Sequence, residues 1–463
     1  MTYDAIVIGC GQSGYPLCNA LADHGWSVAL VEKGYLGGTC INTGCTPTKT
    51  MVHRAQVAYY ARNAERWGVH APNVSVDLPK IVAQKDKVVL GFRNGKESQV
   101  AKRPKIRLYR RHGRFVGPHS VQVDDEVLES NHIFIDTGGR SFIPDVPGLP
   151  DVGYLTNETI MQLTSLPEHL IVLGGGYIGL EFGQMFARFG SRVTVIQQTG
   201  QIVQREDPEV AAELQKALEA DGVNFLLNTV AARVDRVADS IVVSLADASG
   251  GSSKRTGEAA ITGSHLLVAT GRRPNTDDLG LDKAGIATNE RGFIRVNSRL
   301  ETNVPGVWAM GDVKGGPAFT HISYNDYQIV YGNLIEGKNL STENRIVPYA
   351  VFTDPQLGGV GLTEKEARAK GYKLKIGSAP MTWVARAIER DETAGLMKLI
   401  VDATNDRILG ATFLATDGGE IIHILYTLML VNLPYTLLKG AIYIHPTLAE
   451  GLFALMESVK PVD

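Results

Sequence analysis

AIVIGCGQSG, residues 5–14, is an apolar run that breaks into three glycines, Gly9, Gly11 and Gly14, and its reading decides the fold. Apolar residues ending at a glycine describe a buried strand, and the spacing of the glycines opens a helix that runs through Ala22. The next apolar stretch, SVALVE, is a second strand closed by Glu32. Strand, glycine turn, helix, strand and terminal acid is the order of a dinucleotide-binding βαβ unit. The glycines permit the tight turn, the approach of backbone to a pyrophosphate and the contact of helix with strand. Glu32 is placed to accept hydrogen bonds from a ribose.

The unit occurs twice. HLIVLGGGYIGLEFGQMFARFGSRVTVIQQ, residues 169–198, repeats it with Gly174, Gly176 and Gly179 in the same register, so two dinucleotides are expected. Counted from its first glycine, each copy closes its second strand at the same offset, on Glu32 in the first and Gln197 in the second. A carboxylate there binds a ribose 2′-hydroxyl and repels a 2′-phosphate, so Gln197 favours NADPH and leaves NADH possible. Gln198 and Arg205 follow; Arg205 is either a phosphate partner or a surface arginine ahead of the helix PEVAAELQKALEADG. NHIFIDTGGRSFIP and SHLLVATGRRPN read as buried strands ending in Thr-Gly turns, one after each fingerprint. Turns are expected at ASGGSSK, and from Tyr349 strands and helices without a fingerprint mark a last, α+β domain.

Between the repeats lies GGTCINTGCTPTK, with Cys40 and Cys45. A close cysteine pair in a reducing compartment is more often catalytic or metal-binding than structural. Gly37 and Gly38 free the backbone before Cys40, and Pro47 presets a helical turn at Cys45, where a helix N-terminus favours thiolate. A redox pair beside a dinucleotide is the reading that uses all of these residues. Cys10 and Cys18, the other two of four cysteines, fit as packing residues.

At 463 residues the chain should hold several domains, and a formal charge of -3 argues against a sequence-wide design for nucleic acid or anionic membrane. The basic run from Arg93 to Arg114 reads as a solvated surface helix and strand. MTYDAIVIGCG enters its strand without a leader pattern, which suggests a cytoplasmic protein. The apolar segment IIHILYTLMLVNLPYTLL is interrupted by His423, Asn432 and Pro434 and reads as a buried or interface helix rather than a membrane span.

GCGQSG, GGTCINTGCTPTK, GGGYIGLE, ATGRRPN, VWAMGDV and HPTLAE together, in this order, resemble the pyridine nucleotide-disulfide oxidoreductase family of glutathione reductase, dihydrolipoamide dehydrogenase and mercuric reductase. VPYAVFTDPQLGGVGLTEKEAR and FTHISYNDYQIV are similar to bacterial mercuric reductase-like flavoproteins and to the flavoprotein of reactive-chlorine resistance. The resemblance implies an α/β fold with two Rossmann-like domains and a C-terminal α+β dimerisation domain. It implies FAD binding over 1–148, NAD(P) binding over 149–268, a return to the FAD-binding and central region over 269–345, and dimerisation over 346–463. It places the FAD ribose on Glu32 and the flavin side on Asp312. Lys33, Gly38, Thr39, Lys49, Gly138, Tyr177, Ile178, Gly271, Arg272 and Gly311 are further cofactor-binding positions.

The same resemblance makes Cys45 the thiol that meets the flavin, Cys40 the thiol that meets substrate, and Lys49 with Glu181 an ion pair near the flavin. His445 and Glu450 become an acid-base pair contributed by the second subunit of a homodimer. The implied activity is electron transfer from NAD(P)H through FAD to Cys40–Cys45 and on to a small-molecule disulfide. Reduction of metal ions or oxidants such as Hg(II) or Cu(II) is the alternative, and a redox subunit acting through a protein partner is a third, motivated only by the basic run. The chain has no cysteine after Cys45, which excludes a C-terminal cysteine relay. The first helix, SGYPLCNALADHG, carries no arginine, which disfavours glutathione disulfide. No resident metal is required.

Overall fold

The computed structural model describes residues 1–249 and 259–462, so most of ASGGSSK lies outside the described residues. The chain divides into two compact units, one of Met1–Met51, Pro79–Phe142 and Gly271–Arg345, the other of Val52–Leu78, Ile143–Thr270 and Ile346–Asp463.

The first unit is built on a five-stranded sheet in which Ala5–Ile8 is central. Ile133–Ile135 and Val307–Ala309 extend it on one side, Val28–Val31 and Ile106–Tyr109 on the other, all in parallel. The alternation of a strand explains why the two central strands are apolar throughout. Ile6, Ile8, Ala29 and Val31 face one core, while Ala5, Val7, Val28 and Leu30 face the other, so neither has a solvent side. Helix Gly14–Asp23 covers the second core with Leu17, Cys18 and Leu21, and Cys10 and Cys18 are fully buried there. Burial lifts both of those thiols far above the ordinary range, which makes them inert. An antiparallel meander of Gly113–Gly117, Ser120–Val123 and Glu126–Glu129 completes the unit.

The basic run resolves into helix Leu78–Ala101 and strand Ile106–Tyr109, with four of its arginines paired to acids. Arg103 meets Asp23 at 2.8 Å, Arg107 meets Glu126 at 3.2 Å, Arg111 meets Asp124 at 2.9 Å, and Arg110 pairs with Glu97. Such exposed pairs contribute little to stability, but they offset four of the run's cations.

The second unit repeats the parallel arrangement in four strands, ordered Val223–Leu226, Arg192–Ile196, His169–Leu173 and His265–Val268. It then turns to antiparallel pairing. Six strands, Pro348–Val351, Gln356–Gly361, Ile408–Ala415, Leu396–Asp402, Leu374–Pro380 and Lys460–Val462, form one sheet in that order. Helices Gly418–Leu430 and Gly451–Glu457 pack on it through Ile421, Ile422, Leu425, Leu452 and Leu455. The long apolar segment therefore ends its helix at Leu430, and no helix among the described residues is long and apolar enough to cross a membrane.

Buried charge ties the four-stranded and six-stranded parts of this unit together. Arg188, on helix Tyr177–Phe189, meets Asp221 and Asp354 at 2.7 Å each. Lys398 is 2 % exposed in its side chain and lies 2.8 Å from both Asp207 and Glu364, with Glu209 closing the group. Burial opposes its charge, but the surrounding carboxylates outweigh that and hold the ammonium above its ordinary pKa. These three acids converge in the manner of a cation site, and the lysine is their cation. Lys398→Met keeps the volume and removes the cation these acids share, a change that costs about 3–5 kcal/mol for a broken buried pair. A thermal melt several degrees below wild type is expected, and an unchanged melt would contradict this account.

Candidate active site

The first fingerprint turn is held backbone on backbone. Gly9 has φ +97°, and a Cβ there would stand 2.2 Å from the Asp136 carbonyl oxygen. In the second repeat Gly174 has φ +108°, and its Cβ would stand 2.5 Å from the Ala269 carbonyl oxygen. The helix glycines match as well: a Cβ on Gly14 would lie 2.3 Å from Gly9 O, and one on Gly179 2.0 Å from Gly174 O. Gly176 has no neighbour at its Cβ position, which leaves that point of the turn open.

The residues closing the second strands also correspond. Glu32 Oε2 accepts the Cys10 N–H at 2.8 Å and Oε1 accepts the Gly34 N–H at 2.7 Å. Gln197 Oε1 accepts the Gly175 N–H at 2.9 Å, at the equivalent place, while its Nε2 donates to Thr199 Oγ1 at 2.5 Å. One oxygen of each side chain therefore fixes the fingerprint turn, a structural duty additional to any contact with ribose. Both turns are shaped to receive a dinucleotide with its phosphates against a helix N-terminus, and the charge difference between Glu32 and Gln197 persists in three dimensions.

The cysteine segment grows from the first turn. Gly37 N–H donates to Cys10 O at 2.9 Å, and Gln12 Nε2 donates to Gly37 O at 3.1 Å. Gly38, with φ +60°, opens helix Gly38–Asn42, and its Cβ position is 2.8 Å from Gly11 Cα. Thr39 and Cys40 follow in that helix, and Cys45 is the first residue of helix Cys45–Arg62, which has Pro47 in its opening turn and Lys49 one turn on. Cys40 is half-buried and Cys45 is exposed. Cys45 Sγ lies 3.1 Å from Thr320 Oγ1, at the start of helix Thr320–Leu334. The Cys45 side chain is the largest influence on Cys40 and raises its thiol pKa far above the ordinary range; burial adds to this, while Thr320 and Lys49 oppose it.

Other predicted positions take these places. Gly138 has φ +66° and Gly271 φ +138°, each at the turn after its strand. Asp312 lies in the short helix Gly311–Lys314, 3.5 Å from Arg272, which also donates to Gly139 O at 2.6 Å. Lys33 makes an exposed pair with Asp278. Tyr177 and the half-buried Ile178 open helix Tyr177–Phe189. Glu181 is buried on the same helix and accepts the Phe352 N–H at 2.9 Å. Lys49 belongs to the first unit and Glu181 to the second. His445 Nδ1 is 2.9 Å from Glu450 Oε2, and the imidazole is 71 % exposed while Glu450 is 17 % exposed, so the ring is oriented from behind and open in front.

Sequence reasoning missed Thr320, Glu206 with its partner Tyr349, and Asp136. Thr320 sits within FTHISYNDYQIV, but nothing local pairs it with Cys45. Glu206 accepts Tyr349 OH at 2.8 Å and Tyr177 OH at 3.2 Å, and burial lifts its carboxyl to about 7. Asp136 is buried beneath the first turn, and its signal was available: NHIFIDTGG has Asp where SHLLVATGR has Ala269.

Residues 3–326 match the pyridine nucleotide-disulphide oxidoreductase model, and residues 347–455 match the dimerisation domain of the same family. The chain belongs to this family. It is 37% identical over 466 residues to the probable pyridine nucleotide-disulfide oxidoreductase RclA of Escherichia coli, covering 99% of each chain. It is 37% identical over 469 residues to the dihydrolipoyl dehydrogenase of Thermus scotoductus, covering 99% of this chain and 97% of the other. The mercuric reductase of Lysinibacillus sphaericus is 32% identical over 450 residues, 97% of this chain and 81% of that one. The solved HOCl-induced flavoprotein disulfide reductase RclA from Escherichia coli superposes with a TM-score of 0.89 at 37% identity, over 99% of this chain and 100% of that one. As a family member the chain is a flavoprotein oxidoreductase that uses FAD and a pyridine nucleotide, and it carries a dimerisation domain.

The glycine cradle fits such a cofactor because a side chain at Gly9 has no room. Gly9→Ala is expected to lower flavin per purified chain by at least about tenfold, the equivalent of roughly 1.4 kcal/mol of binding. Absorbance at the flavin band relative to protein measures it; wild-type loading would remove the first repeat as the FAD site.

Proposed function

We propose that Cys40 and Cys45 are the redox pair of an NAD(P)H-dependent disulfide reductase whose first repeat holds FAD and whose second holds the nicotinamide dinucleotide. One observation carries the reading: Gly38 seats the Cys40 helix directly on Gly11 of the first fingerprint turn. FAD, when bound, supplies two-electron transfer between a nicotinamide and a disulfide. The remaining steps belong to the chain. Cys40 attacks a sulfur of the substrate disulfide, forms a mixed disulfide and releases a first thiol. Cys45 then attacks Cys40 and releases the second thiol, which leaves the Cys40–Cys45 bond to be reduced again.

Cys40 needs a base for this, because Cys45 and burial hold its thiol protonated. His445, oriented by Glu450 and otherwise exposed, is the base, and it donates the proton onward to the leaving thiol. It comes from the partner subunit. Supporting this, large apolar side chains stand exposed around it, with Leu437 51%, Ile442 100%, Ile444 80% and Phe453 52% accessible, a surface suited to a second copy. Lys49 and Glu181 act at the flavin, and Asp312 with Gly311 and Gly138 borders it. Gln197, neutral where Glu32 is charged, favours NADPH over NADH. A cytoplasmic setting keeps such a dithiol reduced between turnovers.

Anaerobic titration with NADPH is expected to develop a long-wavelength thiolate-flavin band, more readily than with NADH, and Cys45→Ser should lose it. A wild-type enzyme without the band would overturn the assignment of the pair.

A second reading, reduction of Cu(II) or a similar metal ion at the same dithiol, is favoured by the solved Cu(II) complex of the RclA relative, with a TM-score of 0.89. The two readings separate at His445. Disulfide reduction should fall by about 100-fold or more in His445→Ala, the usual scale of a general acid-base contribution. Metal-stimulated NADPH oxidation should need Cys40 and tolerate that change. Steady-state assay of both variants on a panel of disulfides and metal ions distinguishes them; equal loss on both substrate classes counts against the metal reading.

A further inference from the structure

Asp136 is a carboxylate that the first repeat has and the second lacks. Its side chain is buried, with Oδ1 accepting the Ser13 hydroxyl at 3.0 Å and Oδ2 accepting the Gly14 N–H at 2.7 Å. It lies in the middle of the turn: a Cβ on Gly11 would stand 2.7 Å from Oδ2, and one on Gly311 2.9 Å from Oδ1. Ser13 is itself fully buried, so this bond is part of a built network and not a surface contact. Ala269 occupies the matching backbone position under Gly174 and brings no acceptor of its own to the turn.

The carboxylate occupies donors at the N-terminus of helix Gly14–Asp23, the end that attracts phosphate. Its charged surroundings are unfavourable for a further anion. Asp312 and Glu32 both face it with like charge, while the buried Cys10 thiol in the same turn stays neutral. The nearby cations are committed elsewhere: Arg272 to Asp312 at 3.5 Å, and Lys314 and Arg345 to the buried Asp326, whose Oδ2 fixes Gly311 N–H at 2.9 Å. Burial, against the two hydrogen bonds, lifts the Asp136 carboxyl to about 7. A pyrophosphate arriving at this turn adds negative charge where the dielectric is low, and a neutral acid tolerates it where a carboxylate does not.

We propose that Asp136 is the positioning residue of the flavin turn and that it holds FAD in its protonated form, so that FAD binding takes up a proton at this carboxyl. The inference rests on the reading that the first repeat holds FAD. Its sign follows from linkage. FAD raises the pKa of Asp136 further, so affinity is complete below the pKa of the flavin-free turn and declines as pH rises through and above it. The nicotinamide dinucleotide, bound over Ala269, escapes this dependence.

The test is flavin retention by diluted holoenzyme from pH 6 to 9, read as the fluorescence of released FAD. The apparent dissociation constant of wild type should rise above pH 7 with a slope approaching about tenfold per pH unit. Asp136→Asn, which keeps the acceptor and the shape, should give a flat profile, and Asp136→Ser serves if that variant loads poorly. A flat wild-type profile, or variants that parallel wild type, overturns the proposal. Should neither variant load flavin, the wild-type profile alone decides. Failure of the underlying reading is distinct, because Gly9→Ala would then retain its flavin.

Discussion

The close passage of the Gly9 backbone over the Asp136 carbonyl is the constraint on which the first unit depends. At 2.2 Å a Cβ is impossible, so the turn exists only as glycine, and the sheet must present its central strand end unobstructed. From that turn the order of assembly is direct. Cys10 offers its N–H to Glu32 and its C=O to Gly37, Gly38 seats on Gly11, and Cys40 and Cys45 follow on successive helices. Cys40 and Cys45 thereby inherit their position from the first glycine turn, and a defect in that turn displaces both.

Duplication gives the chain an internal control. Both fingerprints close on a side-chain oxygen that accepts the N–H after the first glycine, from Glu32 in one and Gln197 in the other. The hydrogen bond that shapes the turn is thus kept while the charge is exchanged. The second exchange, Asp136 for Ala269, goes the other way. It adds a buried titratable group where packing required none, and a group whose burial costs free energy calls for an explanation in function.

Much of this was legible in the sequence because its signals are local. Glycine spacing, strand alternation and the offset to Glu32 or Gln197 each lie within about thirty residues of chain, the span of one βαβ unit. The pair Cys40 and Cys45, and His445 with Glu450, are also read within single segments. What escaped was brought together across the chain: Thr320 against Cys45, Tyr349 against Glu206, Lys398 among Asp207, Glu209 and Glu364. Such contacts have no periodicity to announce them. Asp136 differs, since aligning the two Thr-Gly segments exposes it; one has to compare the repeats with each other as well as recognise them.

The two ways in which charge is buried here lead to opposite chemistry. Lys398 sits among three carboxylates with short contacts on each side, so its charge is matched and its protonation does not change near neutrality. Asp136 is given hydrogen-bond donors but no cation, and the anions Glu32 and Asp312 face it. Matched burial builds a rigid joint between sheets, whereas unmatched burial places a proton equilibrium within reach of physiological pH. The fold puts the matched charge where elements must stay together and the unmatched one beneath the turn proposed to hold FAD. Under that proposal, a proton there neutralises one charge as the pyrophosphate adds another.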